Sequence, residues 1–203
     1  LNLIMRKGTA EKTIITYTEK GMTAILDDTV TQREQDLVVH RFEYNETFDE
    51  WRRVFGSKLP QKDLMKFLQA RPDEEKPCTE TLLMAASHLV VATEISGEYR
   101  HDDAQNITVA FKSRDKEGTA RLPKQIILWA KVLNESDFEQ VVEIDVEIIL
   151  PKSADEKPYF TLSCPKLQRY WRNAVLHEIE VIKEALPNHL ILAGTVEANH
   201  KYV

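Results

Sequence analysis

The stretch QIILWAKVLNESDFEQVVEIDVEIIL, residues 125–150, decides the fold that the sequence predicts. Along residues 125–134, two sets of side chains alternate. The first set is apolar throughout and consists of Ile126, Leu128, Ala130 and Val132. The second set consists of Ile127, Trp129, Lys131 and Leu133 and is only partly polar, so this run predicts a buried strand.

Residues 140–150 predict a second strand whose two faces differ. One face is apolar and is formed by Val142, Ile144, Val146 and Ile148. The other face carries Glu143, Asp145 and Glu147 and is expected to meet water. Because turn-forming residues at 134–137 join the two strands, we expect an antiparallel hairpin. Its apolar face needs a cover, and the amphipathic segment 166–186 is the natural candidate.

The remaining chain predicts an α+β fold in a single domain, residues 1–203. Further strands are predicted where apolar residues alternate, at 12–18, 21–26, 36–44, 106–112, 159–163 and 189–196. Helices are predicted where apolar residues recur at spacings of three and four, at 48–55, 60–71, 79–90 and 166–186. These elements form an N-terminal β-meander (12–44), a helical segment (48–90), a central sheet (106–163) and a C-terminal helix (166–186). We expect one mainly antiparallel, twisted β-sheet of six to eight strands, covered by several helices that include the long C-terminal one.

Three residues are expected to shape the ends of these elements. Thr47 and Thr79 are of a type that caps helix N-termini. Gly21 is expected to adopt a positive φ in the turn between the first two strands, because it has no Cβ to clash there.

The amino-acid composition limits the classes of protein to which this chain can belong. The 203 residues are 42% hydrophobic and 30% charged, which is ordinary for a globular protein. No apolar run is long enough to cross a membrane, and the first residues do not form a signal peptide, so we expect a cytoplasmic protein with no membrane partner. Leu1 suggests that the chain begins inside a longer one. Cys78 and Cys164 stand far apart and predict reduced, structural thiols.

No residue pattern identifies a reaction. His101, Asp102 and Asp103, with Glu98 nearby, offer metal ligands in one predicted loop, but a polar turn also explains them. At His177 the spacing of a zinc-binding helix fails, because position 181 is Val181 and not a second histidine. Ser87 and His88 are helix neighbours that point in different directions and cannot pair. We therefore predict no catalytic residues, no metal and no cofactor, with a metal-dependent hydrolase as a less favoured alternative.

Two charged surfaces are candidate binding sites. The acidic one comprises Glu143, Asp145 and Glu147, with Asp102 and Asp103 as further members. The basic one comprises Lys166, Arg169 and Arg172 beside two aromatic residues, Tyr170 and Trp171. Such a basic, aromatic strip is typical of contacts to single-stranded nucleic acid. The alternative is that Trp171 packs in the core while the cations face water.

Several spaced landmarks follow one another along the chain: HRFEY at 40–44, TFDEW at 47–51, QKDLMKFL at 61–68, ETLLMAA at 80–86 and LP at 122–123, followed by the terminal helix. In this order they resemble the YfdQ-like family of phage and prophage proteins of unknown function. The resemblance covers residues 20–196 and carries no catalytic residue set. It implies a phage-encoded protein that acts in the cytoplasm of an infected bacterium.

Together these observations predict a non-catalytic accessory protein that binds a host or phage macromolecule, for example in counter-defence or host modulation. The net charge of −6 disfavours broad binding to a nucleic-acid backbone. An accessory factor of phage DNA recombination or replication that contacts single strands is the alternative. A homo-oligomer formed by edge-to-edge pairing of residues 189–203 stays open.

Overall fold

The computed structural model describes residues 2–30, 36–90, 100–102, 106–112, 117–149 and 158–195. For residues 2, 88–90, 100–102, 106–112 and 117–120 it describes the backbone only. The described chain has an α+β fold, as the sequence predicts. Its helices are Asn2–Lys7 (α1), Glu46–Val54 (α2), Gln61–Gln69 (α3), Lys76–Val90 (α4) and Leu167–Ala185 (α5). Its strands are Ile14–Thr18 (β1), Gly21–Ile25 (β2), Leu37–Arg41 (β3), Leu59–Pro60 (β4), Arg100–Asp102 (β5), Asn106–Lys112 (β6), Glu117–Pro123 (β7), Gln125–Lys131 (β8), Glu139–Ile149 (β9), Tyr159–Ser163 (β10) and Leu190–Ala193 (β11).

The chain divides into two compact units, of which the first is built from three segments and the second from two. The first consists of Leu1–Glu46, Lys131–Phe138 and Gln168–Val203, and the second consists of Thr47–Ala130 and Glu139–Leu167. Whether the two units form one domain, as the sequence analysis predicts for residues 1–203, stays a prediction.

The first unit contains a four-stranded sheet in the order β11-β1-β2-β3. The predicted meander β1-β2-β3 is confirmed as antiparallel, whereas β11 joins the edge in parallel, with Ile15 beside Ile191. Gly21 has a φ of 154°, and a Cβ at this position would lie 2.2 Å from the carbonyl oxygen of His40. The predicted need for glycine in this turn is therefore confirmed.

Helix α5 buries one stripe of residues that recur at spacings of three and four. The buried positions are Tyr170, Trp171, Ala174, Val175, Ile179 and Ile182. Ile182 lines a cavity of about 190 Å³ with Ile15, Met22 and Ala24 of the sheet in the same unit. The prediction that α5 also covers the hairpin of β8 and β9 concerns contacts between the two units and stays a prediction.

The second unit contains a four-stranded sheet in the order β4-β10-β9-β8 and a three-stranded antiparallel sheet in the order β5-β6-β7. Helix α3 contacts β4 and β10, and α4 contacts α3 and β7. Trp51 of α2 is fully buried, and its indole N–H donates a hydrogen bond to Glu75 at 2.9 Å. The ring of Phe67 meets the edge of Trp51 at a centroid distance of 4.9 Å.

Several predictions about these elements were wrong. Within the described residues the strands form three sheets of four, four and three, and not one sheet of six to eight. Thr47 and Thr79 lie inside α2 and α4, and the Thr79 hydroxyl donates to the carbonyl of Glu75 instead of capping a helix. The polar segment at His101 is not a loop, because β5 pairs His101 with Ile107 of β6. The sequence analysis also missed α1, β4, β5 and β7.

Candidate functional site

Strand β9 presents the predicted acidic face. Its even-numbered residues from Gln140 to Ile148 are buried, whereas the odd-numbered ones are exposed or partly exposed. Glu143, Asp145 and Glu147 therefore lie on one side of the sheet, as the alternation predicts.

Strand β8 adds large apolar side chains to the same side. The side-chain amide of Gln125 donates to the carboxylate of Asp145 at 2.8 Å, so the odd-numbered residues of the two strands share a face. On that face Ile127 is 53% exposed, Trp129 is 68% exposed and Val141 is 38% exposed. The prediction that both sets of β8 side chains are buried was therefore wrong, because only Ile126, Leu128 and Ala130 are buried.

We call the odd-numbered side of β8 and β9 the hairpin outer face. It consists of Gln125, Ile127 and Trp129 from β8 and of Glu139, Val141, Glu143, Asp145, Glu147 and Ile149 from β9, all in the second unit. Exposure of a large aromatic residue beside further apolar side chains is typical of an interaction surface, because it costs free energy in water. The other two tryptophans of the chain, Trp51 and Trp171, are 0% and 7% exposed.

The charges on this face are predominantly negative, and two of its carboxylates, Glu143 and Asp145, interact with neighbouring side chains. Lys166 lies 2.5 Å from the carboxylate of Glu143, with both side chains in contact with solvent. Such exposed pairs contribute ~0–1 kcal/mol, so a binding partner can replace one at little cost. Glu147 is exposed opposite Thr161 of the neighbouring strand β10. The face thus combines an apolar centre with carboxylates.

The predicted basic strip does not form an aromatic platform. Arg172 lies 2.7 Å from the carboxylate of Glu19, and the indole N–H of Trp171 donates to the Glu19 carbonyl at 2.9 Å. Trp171 also packs against Tyr44, with ring centroids 4.3 Å apart. The alternative in which Trp171 packs in the core is therefore confirmed, and its ring is not accessible for stacking on a base.

The cations of that strip have separate environments. Lys166 pairs with an acidic residue of the hairpin outer face, whereas Arg172 is held at the β1–β2 turn, where Gln168 also donates to Glu19 at 2.6 Å. Arg169 is exposed. The sequence could not reveal this, because Glu19 is about 150 residues away from its partners.

The candidate nucleophiles have environments that fit structural roles. Burial raises the pKa of the Cys164 thiol to about 11, and the nearby carboxylates of Asp145 and Glu143 add to that shift although the backbone N–H of Lys166 opposes it. A thiol with so high a pKa holds almost no thiolate at neutral pH and is a poor nucleophile. The hydroxyl of Ser87 donates to the carbonyl of Met84 at 2.7 Å.

The predicted metal ligands fall largely outside the described part of the chain. Asp103 and the side chains of His101 and Asp102 are not described, so the structure does not bear on the hydrolase alternative built on them. Among the described residues, no group of three or more His, Cys, Asp or Glu side chains is arranged to hold a metal ion. His177 is exposed and stacks on Phe138 with ring centroids 4.4 Å apart, as expected for a residue beside the apolar stripe.

Sequence reasoning missed the apolar half of the hairpin outer face. The available signal was that Trp129 shares its alternating set with Lys131, two residues further along the strand, and that this set is only partly polar. Periodicity separates two faces of a strand but does not say whether the less polar of them is covered.

In the described ranges, no helix is long and apolar enough to span a membrane. No protein-family model matches the sequence, and no curated protein or solved structure is significantly similar to it.

Proposed function

We propose that this chain is a non-catalytic, phage-encoded accessory protein that binds a host or phage protein through the hairpin outer face. The phage setting and the cytoplasm of an infected bacterium are inferred from the resemblance of spaced landmarks to YfdQ-like proteins. Counter-defence or host modulation is the biological role that this setting suggests.

The 68% exposure of Trp129 among carboxylates carries the proposal. Tryptophan is enriched among the residues that dominate binding energy at interfaces, because a buried indole removes a large apolar area from water. Ile127 and Val141 widen the apolar centre, and Glu143, Asp145 and Glu147 supply a charged rim. An apolar centre with a polar rim is the usual anatomy of a protein interface.

The same charges disfavour nucleic acid as the partner of this face. Carboxylates repel phosphates, and affinity for a nucleic-acid backbone depends on several Lys or Arg residues that neutralise phosphates together. A cationic protein surface instead gains both attraction and faster encounter. The proposed partner is therefore a protein with a basic surface.

The proposal is tested by co-purification from lysate of infected cells. A hairpin variant carries Glu143→Lys, Asp145→Lys and Glu147→Lys, and a control variant carries Glu11→Lys, Glu80→Lys and Glu184→Lys. The control residues are exposed carboxylates elsewhere on the chain, and their reversal changes the net charge by the same amount. Wild type and the control variant should retain the same protein, and the hairpin variant should lose it.

Two outcomes would count against the proposal. One is the absence of any specific protein on the wild-type chain, and the other is equal retention by the hairpin variant. Binding of a labelled single-stranded oligonucleotide that falls steeply with salt and with Arg169→Ala and Arg172→Ala would favour the nucleic-acid alternative instead.

A further inference from the structure

The strand β8 ends its sheet, in the order β4-β10-β9-β8, within the part of the chain that the structure describes. Edge strands present backbone N–H and C=O groups that can pair with another chain, and proteins usually protect such edges with charges or proline. The sequence of β8, QIILWAK, has no proline and a charge only at Lys131. Apart from Lys131 at its end, β8 thus has none of the residues that usually prevent an edge strand from pairing with a further strand.

Backbone geometry identifies the groups on that edge. The N–H of Val146 donates to the carbonyl of Lys124 at 2.7 Å, so this carbonyl points toward β9. Because N–H and C=O point in opposite directions across a trans peptide bond, the N–H of Gln125 points away from β9. Backbone groups alternate in direction along a strand, so the N–H groups of Ile127 and Trp129 also point outward.

The outward backbone groups and the exposed side chains thus belong to the same residues. Ile127 and Trp129 offer hydrogen-bonding groups at the edge and apolar surface on the hairpin outer face. A chain that pairs with this edge would place every second side chain on that face, beside Ile127 and Trp129. The carboxylates of β9 lie one strand further away, ~10 Å from the added strand, so a long side chain that crosses β8 is needed to reach them. Arginine suits those positions, because its guanidinium stacks on tryptophan and pairs with carboxylates.

From this arrangement we infer that β8 accepts an extended segment of its partner as an added strand, with basic side chains on the hairpin outer face. The inference rests on the proposed function and specifies how the partner is recognised. Backbone hydrogen bonds to Ile127 and Trp129 provide affinity, while Trp129, Glu143 and Asp145 select alternating basic residues. The partner segment is extended, basic at every second position and apolar between them.

The test uses a synthetic probe, an acetylated and amidated peptide of alternating arginine and valine. Its binding to the full chain is followed by tryptophan fluorescence and by amide hydrogen exchange measured with NMR. The expected result is saturable binding with exchange at Ile127 and Trp129 slowed at least about tenfold, because pairing protects these amides from water. Exchange at Leu128, whose N–H points toward β9, should change much less.

Matched peptides and variants separate this mechanism from simple attraction of charge. A peptide of the same sequence with N-methylated backbone nitrogens keeps its charges and should bind at least about tenfold more weakly, because it cannot donate to the edge. Alternating glutamate and valine should not bind. Trp129→Ala should weaken binding at least about tenfold, as expected for an interface hot spot, whereas Met84→Ala, at a 52% exposed apolar residue of α4, should leave it unchanged.

Three results would overturn the inference. The first is an absence of binding up to about 1 mM of the arginine–valine peptide, the weakest affinity of interest. The second is binding without protection of the Ile127 and Trp129 amides. The third is equal binding of the N-methylated peptide. If acidic-face-dependent capture of a protein persists in any of these cases, the proposed function stands and only strand addition is wrong.

Discussion

Alanine substitution of the three tryptophans should separate residues that hold the fold from the residue proposed to bind a partner. Trp51 and Trp171 are 0% and 7% exposed, whereas Trp129 is 68% exposed. A tryptophan buries up to ~200 Å² of surface on folding, and each Å² contributes ~25 cal/mol.

The expected losses in the free energy of unfolding follow from these exposures. Trp171→Ala removes ~185 Å² of buried surface and should cost ~4–5 kcal/mol, in the usual range for a buried aromatic residue. It also removes the ring that packs on Tyr44 and the hydrogen bond to Glu19. Trp129→Ala removes about a third as much, so ~1.5 kcal/mol is an upper bound. Trp51→Ala should cost at least as much as Trp171→Ala.

Urea unfolding followed by far-ultraviolet circular dichroism measures these differences, and equal slopes against urea concentration validate the comparison. A loss above ~3 kcal/mol for Trp129→Ala would refute the reasoning, because it would mean that this side chain is covered and packed. A loss below ~1.5 kcal/mol for Trp171→Ala would refute the assignment of Trp171 to the core.

Three further predictions concern individual residues. Burial raises the pKa of Glu75 above its ordinary value of 4.5 although the hydrogen bond from Trp51 opposes the shift, so the folded state holds this proton more tightly than the unfolded state. The contribution of Glu75 to stability is therefore greatest below pH 4.5 and falls as pH rises through the folded pKa. The free energy of unfolding of Glu75→Gln, measured from acidic to neutral pH, should lack that decline. The same dependence on pH in the variant and in wild type would contradict the prediction. Cys164, with a pKa of about 11, should react with iodoacetamide at pH 8 about a hundredfold more slowly in the folded than in the unfolded chain. Mass analysis of the alkylated peptide measures the two rates, and equal rates would show that folding does not raise the pKa of this thiol. Gly21→Ala should cost more than ~1 kcal/mol in thermal or urea unfolding, because its Cβ would clash with the His40 carbonyl and its φ is positive, and a variant as stable as wild type would disprove that geometry.

Local patterns in the sequence were sufficient for most elements of the fold. Alternation of apolar residues correctly located β1, β2, β8, β9 and β10, and spacings of three and four located α5 almost to the residue. These predictions succeeded because strand and helix periods are properties of adjacent residues and of the face that each buries. The acidic row of β9 followed from the same local rule.

Interactions between distant parts of the chain required the tertiary structure. The short strand β4 carries no alternation of its own and is defined by pairing with β10, with Leu59 beside Phe160. The grouping of strands into three sheets likewise depends on which strands meet and not on any one strand's pattern.

For the candidate site, too, some features followed from the sequence and others required the tertiary structure. The sequence by itself determined that Glu143, Asp145 and Glu147 share a face, since side chains alternate along any strand. Only the tertiary structure decided that Trp129 is exposed and Trp171 is buried, although both are tryptophans within amphipathic runs. Burial depends on which neighbours cover a face, and those neighbours, such as Tyr44 and Glu19 around Trp171, are far away in the chain. Exposure of the hairpin outer face thus depends on tertiary packing. Periodicity assigns a residue to one face of a strand, but packing determines whether that face contacts protein or water.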